Sequence, residues 1–254
     1  MKTLLIYDDL VSLNREAHRE LKLKPAADKF GFARETNSVL IAASELPHAA
    51  LDFPCVFVST ENGYGLAAIL GLQAHENLFV QPDGAWRHGA YLPAFIRRYP
   101  FVLAESEGDS NFTVCLDRAY AGLNTQDGQA LFEADGRETP WLEEIKQFLV
   151  AFRQEMVASR DLGQRLADLD LLEDRAIEYE LLGERQTLRG FKTVNEAKLR
   201  SLPAEALEGL STQGWLGLIY AHLLSLNQVQ RLAVKLDERR SQAAVERESA
   251  AAVH

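Results

Sequence analysis

The hydrophobic pattern of the chain changes its period at Thr139-Pro140. Before this point, short apolar runs are separated by dipeptides that favour tight turns, namely Asn62-Gly63, Asp83-Gly84 and Gly108-Asp109. After it, apolar residues recur three and four positions apart, the spacing of one helical face: Leu142, Ile145, Leu149, Phe152 and Met156. The change predicts an α+β fold, in which a mainly antiparallel β-rich N-terminal part packs on a helical C-terminal part with one β-hairpin.

The predicted elements follow this division. The candidate strands are residues 39–43, 55–59, 66–72, 77–80, 101–105 and 112–117. A short helix over 44–51 is expected to be capped by Ser44, and the long helix by Thr139 with Pro140 at its first position. A hairpin over 176–191 and helices over 194–200, 203–211 and 214–236 complete the set. We therefore divide the chain into a β-rich part (1–138), a helical part (139–236) and a flexible or helical tail (237–254).

Charge and hydropathy limit the partners and the location of the protein. The net charge of −10 repels phosphate backbones, so no nucleic-acid partner is expected. The N-terminal apolar run stops at Asp8-Asp9 without the features of a signal peptide, and the longest apolar run, 214–226, is too short for membrane insertion. Cys55 and Cys115 are expected to be free buried thiols, with a disulfide as the alternative. These features predict a cytoplasmic protein.

A glycine pattern invites a nucleotide-binding interpretation. Gly63, Gly65 and Ala68 fit G-x-G-x-x-A, and Asp83 lies where a dinucleotide fingerprint places its acidic residue. The segment between them is too short for a crossover helix, and Asn62-Gly63 favours a hairpin. We therefore expect a hairpin turn at Gly63–Gly65 and no cofactor.

The chain carries none of the common catalytic or metal-binding motifs. The six histidines are scattered without metal-ligand spacing, and the nucleophile motif G-x-S-x-G is missing from the sequence. No catalytic residue and no metal ligand are assigned, and the interpretation leans away from an enzyme. His222, within an apolar run, is either a core histidine with satisfied nitrogens or a catalytic base.

Two adjacent arginines, Arg97 and Arg98, interrupt the apolar stretch YLPAFIRRYPFVLAE (91–105). Pro93 and Pro100 bound a short helix in which neighbouring residues diverge by about 100°. One guanidinium is therefore expected to be buried against an aromatic ring or a carboxylate such as Glu105, while the other is exposed.

Two interpretations of this stretch remain open. It is either an amphipathic turn that covers a sheet edge, or a carboxylate clamp beside Trp86, Tyr91 and Tyr99, whose residue types are favoured in recognition surfaces. A deep pocket joining Glu45, Arg97 and His222 would favour an enzyme, and a flat aromatic patch would favour a binding protein.

Four segments together resemble the SapC family of bacterial proteins: LGLQAHENLFV, YLPAFIRRYPFVLAE, the helix start at Thr139-Pro140, and GWLGLIYAHLLSLNQVQRL. The family takes its name from an association with bacterial surface layers, and its members are often encoded beside TonB-dependent receptors and flavin-dependent tryptophan halogenases. The resemblance places no catalytic residue on this chain. It implies a cytoplasmic accessory protein as readily as a surface-layer role.

The favoured hypothesis is a non-catalytic binding or accessory protein that recognises a peptide, protein or enzyme partner. The alternatives are an enzyme of unrecognised motif acting on a peptide or aromatic substrate, and a surface-layer-associated protein. The apolar stripe of the long helix packs either on its own chain or on a twin subunit, so a homodimer is also open.

Overall fold

The computed structural model describes residues 6–105 and 112–251. Its strands are β1 (Leu10–Ser12), β2 (Lys22–Leu23), β3 (Ser38–Leu40), β4 (Cys55–Thr60), β5 (Gly63–Ile69), β6 (Phe101–Glu105), β7 (Phe112–Asp117), β8 (Leu123–Asn124), β9 (Gln129–Ala130), β10 (Leu172–Leu181) and β11 (Glu184–Val194). Its helices are α1 (Leu46–Ala49), α2 (Ala94–Arg97), α3 (Pro140–Asp168), α4 (Glu196–Arg200), α5 (Ala204–Thr212), α6 (Trp215–Ser225) and α7 (Gln228–Ala251). None of the described helices has the length and apolar character needed to cross a lipid bilayer.

Every strand pairing is antiparallel, which confirms the α+β prediction. Three-stranded sheets have the orders β1-β7-β6 and β8-β2-β9, and a five-stranded sheet has the order β10-β11-β4-β5-β3. The C-terminal hairpin β10–β11 joins this larger sheet through the pair Lys192 and Phe57. The hairpin and strands β3–β5 therefore share one sheet across the boundary at residue 139, although the division into parts itself stays a prediction.

The glycine pattern at Gly63 and Gly65 lies in the β4–β5 hairpin. Thr60 lies opposite Gly63, so the two-residue turn is Glu61-Asn62, slightly earlier than expected, and Gly63 takes the positive φ of 104°. Gly65 lies within β5 and pairs with Val58. The backbone here builds a sheet and does not curve into a phosphate-binding loop at the start of a helix.

The long helix α3 follows its predicted cap and stripe. The Thr139 hydroxyl accepts the N–H of Leu142 at 3.3 Å and donates to Ala130 O at 2.9 Å. The stripe packs on the core of its own chain, with Leu142, Leu149 and Phe152 buried and the two other members, Ile145 and Met156, half-buried. Further along, a Cβ on Gly163 would lie 2.6 Å from Tyr64 O, so glycine permits α3 to approach β5 closely.

Three local predictions were wrong. Ser44 does not cap a helix, because it lies inside a 3₁₀ turn and Glu45 accepts the N–H of Ala42 instead. Residues 77–80 form only a bridge from Val80 to Trp86. The helix expected over 214–236 breaks between α6 and α7, where the Asn227 side chain donates to Leu224 O.

Two further expectations fall at the limits of the described residues. The turn predicted at Gly108-Asp109 lies outside them. The tail predicted as flexible or helical continues α7 as a helix to Ala251, and residues 252–254 lie outside the described range.

Candidate functional site

The arginine pair lies at the end of α2, a helix held by a buried carboxylate. Glu45 Oε1 accepts the N–H of Ala94 at 2.7 Å, at the start of this helix, and also the hydroxyl of Tyr91 at 2.9 Å. Tyr99-Pro100 is a cis peptide that ends the segment. As the 100° divergence predicts, Arg97 is exposed whereas Arg98 is half-buried.

Arg98 is enclosed by aromatic rings. Its Cζ lies 4.3 Å from the ring centroid of Phe95, 5.4 Å from that of Phe152 and 5.7 Å from that of Tyr7. Burial lowers the pKa of this guanidinium, and burial also raises the pKa of Tyr7 to about 12. Among the described residues, the buried Arg98 Nε has no hydrogen-bond partner. Part of its hydrogen-bonding capacity is therefore unused.

An open cleft of about 390 Å³ lies beside the arginines, and we call it the aromatic–cationic cleft. Its walls carry five aromatic rings and four cationic side chains: Tyr99, Phe101, Tyr120, Trp141, Phe148, Lys24, Lys29, Arg97 and Arg98. Its volume is in the range of ligand pockets. Among the described residues that line it there is no carboxylate. A cleft of this composition attracts a ligand that combines an apolar or aromatic group with negative charge.

The first turns of α3 form one wall of this cleft. Trp141 lies edge-to-face on Phe101, with ring centroids 6.2 Å apart, and the Arg97 Cζ lies 5.1 Å from the Phe148 centroid. On the rim, Lys24 forms an exposed ion pair with Asp127 at 3.1 Å. Another exposed cation, Arg97, contacts a ring and forms no ion pair with an acid among the described residues, so its charge is more available to a ligand than that of Lys24.

The opposite wall is fixed by Tyr99. Its ring stacks on Phe32 at 3.8 Å, and its hydroxyl donates to Asp117 Oδ2 at 3.2 Å. Asp117 is fully buried and also accepts the N–H groups of Asp8 and Asp9, each at 3.0 Å. Burial, then the Asp117 carboxylate, raises the pKa of Tyr99. The phenol therefore stays neutral and serves as a rigid wall.

Two of the residues predicted to flank the arginines lie outside this cleft. Trp86 packs on Phe79 and Phe30, and its indole N–H donates to Tyr91 O at 3.0 Å. Tyr91 donates to Glu45, and burial followed by the Glu45 carboxylate raises the pKa of Tyr91 to about 12. The Glu105 side chain lies outside the described part. Of the predicted residues, Arg97, Arg98 and Tyr99 share the cleft.

His222 is enclosed in the core at the junction of α6, β4 and β11. Its Nε2 accepts the N–H of Val194 at 3.1 Å, so its Nδ1 carries the proton and donates to Cys55 O at 2.6 Å. Continuing the register from Lys192–Phe57 by two residues would pair Val194 with Cys55, so the imidazole replaces a direct ladder bond. Burial lowers the pKa of His222 to about 4.

Two adjoining side chains at this junction, Ser225 and Cys55, also form hydrogen bonds. Ser225 Oγ accepts the N–H of Cys55 at 2.9 Å and donates to His222 O at 2.6 Å. The Cys55 thiol donates to Phe53 O, and burial raises its pKa. Both Cys55 and Cys115 are free and buried. Since His222 is fully buried, it does not share an open pocket with Arg97, and the pocket that would have favoured an enzyme is not formed by these residues.

Sequence reasoning missed the residues that complete the cleft. Lys24, Lys29, Tyr120, Trp141 and Phe148 all come from segments remote from residues 91–105. One signal was present: Phe148 precedes Phe152 by one helical turn and lies at the edge of the predicted apolar stripe. Within residues 6–105 and 112–251, no group of three or more His, Cys, Asp and Glu side chains is arranged to hold a metal ion.

Comparison with known proteins gives a family. No curated protein and no solved structure matches the chain. The SapC family model matches residues 13–232, which contain all of the cleft's lining residues and the whole His222 junction. This match covers well over half of the 254 residues, and the chain belongs to the SapC family.

Proposed function

We propose that this protein is a non-catalytic binding protein that recognises a peptide or protein partner through the aromatic–cationic cleft. The observation that carries the proposal is the composition of this cleft: four cationic side chains face aromatic walls in a chain whose net charge is −10. The segment that fits combines an aromatic or large apolar side chain with a neighbouring carboxylate.

The aromatic walls supply the apolar part of this recognition. Tyr, Trp and Arg are the residue types that contribute most binding energy in protein interfaces. Phe101 and Trp141 are fixed by their edge-to-face contact, and Tyr99 is fixed by its stack on Phe32. Fixed rings lose little conformational entropy when a side chain of the partner packs against them.

The cations supply the orientation. Arg97 is exposed, with its guanidinium placed over Phe148, and is free to form a bidentate bond with a carboxylate of the partner. The chain as a whole has a net charge of −10, so the cleft is a local positive region. A partner that lacks an acidic group gains no electrostatic attraction at this region and should bind more weakly.

The non-catalytic part of the proposal rests on how the buried polar groups are used. Glu45, Asp117 and His222 bond to backbone groups or tyrosine hydroxyls, as described above, and the Cys55 thiol bonds to a carbonyl. In this proposal the protein acts in the cytoplasm, where its two cysteines stay reduced.

Calorimetric titration tests the proposal directly. The probes are three synthetic peptides with alternating residues: Phe and Asp, Phe and Lys, and Ala and Asp. Only the first should show strong binding that depends on Arg97. Arg97→Ala should weaken this binding by about thirtyfold, the effect of a strong interface residue. Arg185→Ala, at an exposed site on β11, is the matched control and should leave binding unchanged.

Two outcomes would contradict the proposal. Equal affinity for all three peptides would mean that the cleft does not select for the aromatic–acidic combination. Mass spectrometry of the Phe–Asp peptide after prolonged incubation should recover it unchanged, and cleavage or modification would instead identify an enzyme. A pull-down with wild-type, Arg97→Ala and Arg185→Ala baits then identifies the natural partner as the protein lost only with Arg97→Ala.

A further inference from the structure

A second cationic surface lies along α7, remote in sequence from the aromatic–cationic cleft. Two adjoining depressions, of about 530 and about 210 Å³, share Arg87, Lys235 and Glu238, so together they form one elongated groove. Arg239 lines the first depression and Arg231 lines the second. We call this surface the α7 groove.

Four cationic side chains, Arg87, Arg231, Lys235 and Arg239, line the α7 groove beside one carboxylate among its described lining residues, that of Glu238. Across residues 6–105 and 112–251, no carboxylate forms an ion pair with Arg87, Arg231 or Lys235. Arg239 donates to two backbone carbonyls, Asn77 O at 2.8 Å and Val80 O at 2.9 Å, which position its guanidinium and leave its charge in place.

The crowding has an electrostatic consequence. Burial, with Arg87 as the next cause, lowers the pKa of the Lys235 ammonium, although Asp52 and Glu238 oppose the shift. Burial also lowers the pKa of Arg239; the nearby Glu76 carboxylate opposes this shift, and Arg34 and Arg87 add to it. Like charges held together in this way are stabilised by an anion that binds among them.

The spacing of the cations shows what length of anion fits. Arg231, Lys235 and Arg239 recur every four residues, so they lie about 6 Å apart along one face of α7 and span about 12 Å. Alternate residues of an extended peptide are about 7 Å apart, and residues four apart on a helix match the spacing of α7 itself. A single small anion reaches only one of these positions.

We propose that the α7 groove binds an acidic segment of a protein partner, with carboxylates placed at intervals that match Arg231, Lys235 and Arg239. The net charge of −10 on the whole chain opposes long-range approach of nucleic acid and of anionic membranes. A short acidic segment contacts only the groove and avoids most of this repulsion. This inference does not depend on the function proposed for the aromatic–cationic cleft.

Fluorescence anisotropy with a labelled peptide of alternating Glu and Ser tests the groove. The peptide should bind saturably, and an alternating Lys and Ser peptide should not. Arg87→Gln, Arg231→Gln and Lys235→Gln should each weaken binding by about two- to fivefold, the range for an exposed ion pair. Raising NaCl from about 0.05 M to about 0.5 M should weaken it further.

Matched controls separate the α7 groove from other surfaces. Arg185→Ala and Arg97→Ala should both leave the affinity for the Glu–Ser peptide unchanged, since neither residue lines the groove. Circular dichroism of the exposed-site variant Arg231→Gln should match wild type, which keeps the test independent of folding.

Four results would overturn the inference. The first is the absence of peptide binding, and the second is binding that is insensitive to all three glutamine variants. The third is loss of binding with Arg97→Ala. The fourth is tighter binding of pyrophosphate, single-stranded DNA or anionic vesicles that is weakened by the same glutamine variants. The last result would assign the groove to phosphate groups and not to an acidic protein segment.

Discussion

The aromatic–cationic cleft and the His222 junction both place basic side chains among aromatic rings, but they use them in opposite ways. At the junction, both nitrogens of His222 bond to backbone groups, and its ring lies edge-to-face on Phe57 at 5.1 Å. In the cleft, Arg97 is exposed and contacts a ring, and the Nε of Arg98 is buried without a hydrogen-bond partner in the part of the chain that the structure describes. A polar residue in an apolar stretch is therefore a structural residue where backbone groups take up its hydrogen bonds, and a candidate binding residue where they do not.

Removing the imidazole should give the largest effect. His222→Ala leaves a cavity and also leaves Val194 N–H and Cys55 C=O unpaired in the core. We expect the free energy of unfolding to fall by about 5 kcal/mol, the sum of a cavity and two unsatisfied groups. Urea denaturation measures it. His75→Ala, at an exposed histidine, is the control and should change stability by less than about 0.5 kcal/mol. An equal effect of both variants would show that the buried imidazole contributes no more to stability than an exposed one.

The next largest effect should come from Phe152, which connects the α3 stripe to the cleft. Phe152→Ala removes a buried ring that also packs on Arg98. The free energy of unfolding should fall by about 3–4 kcal/mol. Thermal denaturation provides the measurement, and Val150→Ala, at an exposed position on the same helix, is the matched control. An unchanged melting temperature for Phe152→Ala would show that the stripe does not support the core.

The decrease of stability as the pH falls from 6.5 towards 4 should report mainly on the junction. The pKa of His222 is lowered from 6.5 to about 4. Between these pH values His222 is therefore neutral in the folded protein, whereas the same imidazole in the unfolded chain binds a proton. Stability is complete above pH 6.5 and should decrease as the pH falls towards 4, by on the order of 3 kcal/mol. Urea titrations at several pH values measure this decrease. In His222→Asn the decrease should be smaller, and an unchanged pH profile would assign the effect to other groups.

The arginine pair should give the smallest effects on stability and the clearest contrast. Arg98→Lys loses the stacking of a planar guanidinium on Phe95 and should destabilise the fold by about 1–2 kcal/mol. Arg97→Ala should change stability by less than about 0.5 kcal/mol, because the residue is exposed. Chemical denaturation of the two variants side by side checks the contrast, and equal losses would contradict it.

Local patterns predicted the elements that local physics determines. Strands β4, β6, β7 and the start of α3 follow from apolar runs, the Asn-Gly turn and the Thr139 cap. The short strands β1, β2, β8 and β9 escaped prediction, because two or three residues carry no readable period and depend on partners about a hundred positions away. The break between α6 and α7 also escaped, since apolar residues recur at helical spacing on both sides of it, at Leu223, Leu226, Val229 and Leu232.

The candidate site was predictable only where it is contiguous in sequence. Arg97, Arg98 and Tyr99 were found because they lie side by side, and their unequal exposure follows from helical geometry. Proximity in sequence was misleading for Trp86 and Tyr91, which bond to each other outside the cleft. The wall formed by Trp141 and Phe148 requires knowledge of how α3 docks, which no local pattern contains.

The pairing of β11 with β4 has a consequence for protein synthesis. β4 ends at Thr60 and its partner strand ends at Val194, so the ribosome must add 134 residues before that edge of the sheet is covered. At elongation rates of about 5 to 20 residues per second this takes about 7 to 27 seconds, during which the apolar edge at Val56 and Phe57 is open to other nascent chains. Ribosomes stalled near residue 160 should display a β4 that proteases cut readily. Release of the complete chain should abolish this cleavage, because the late hairpin then closes the sheet.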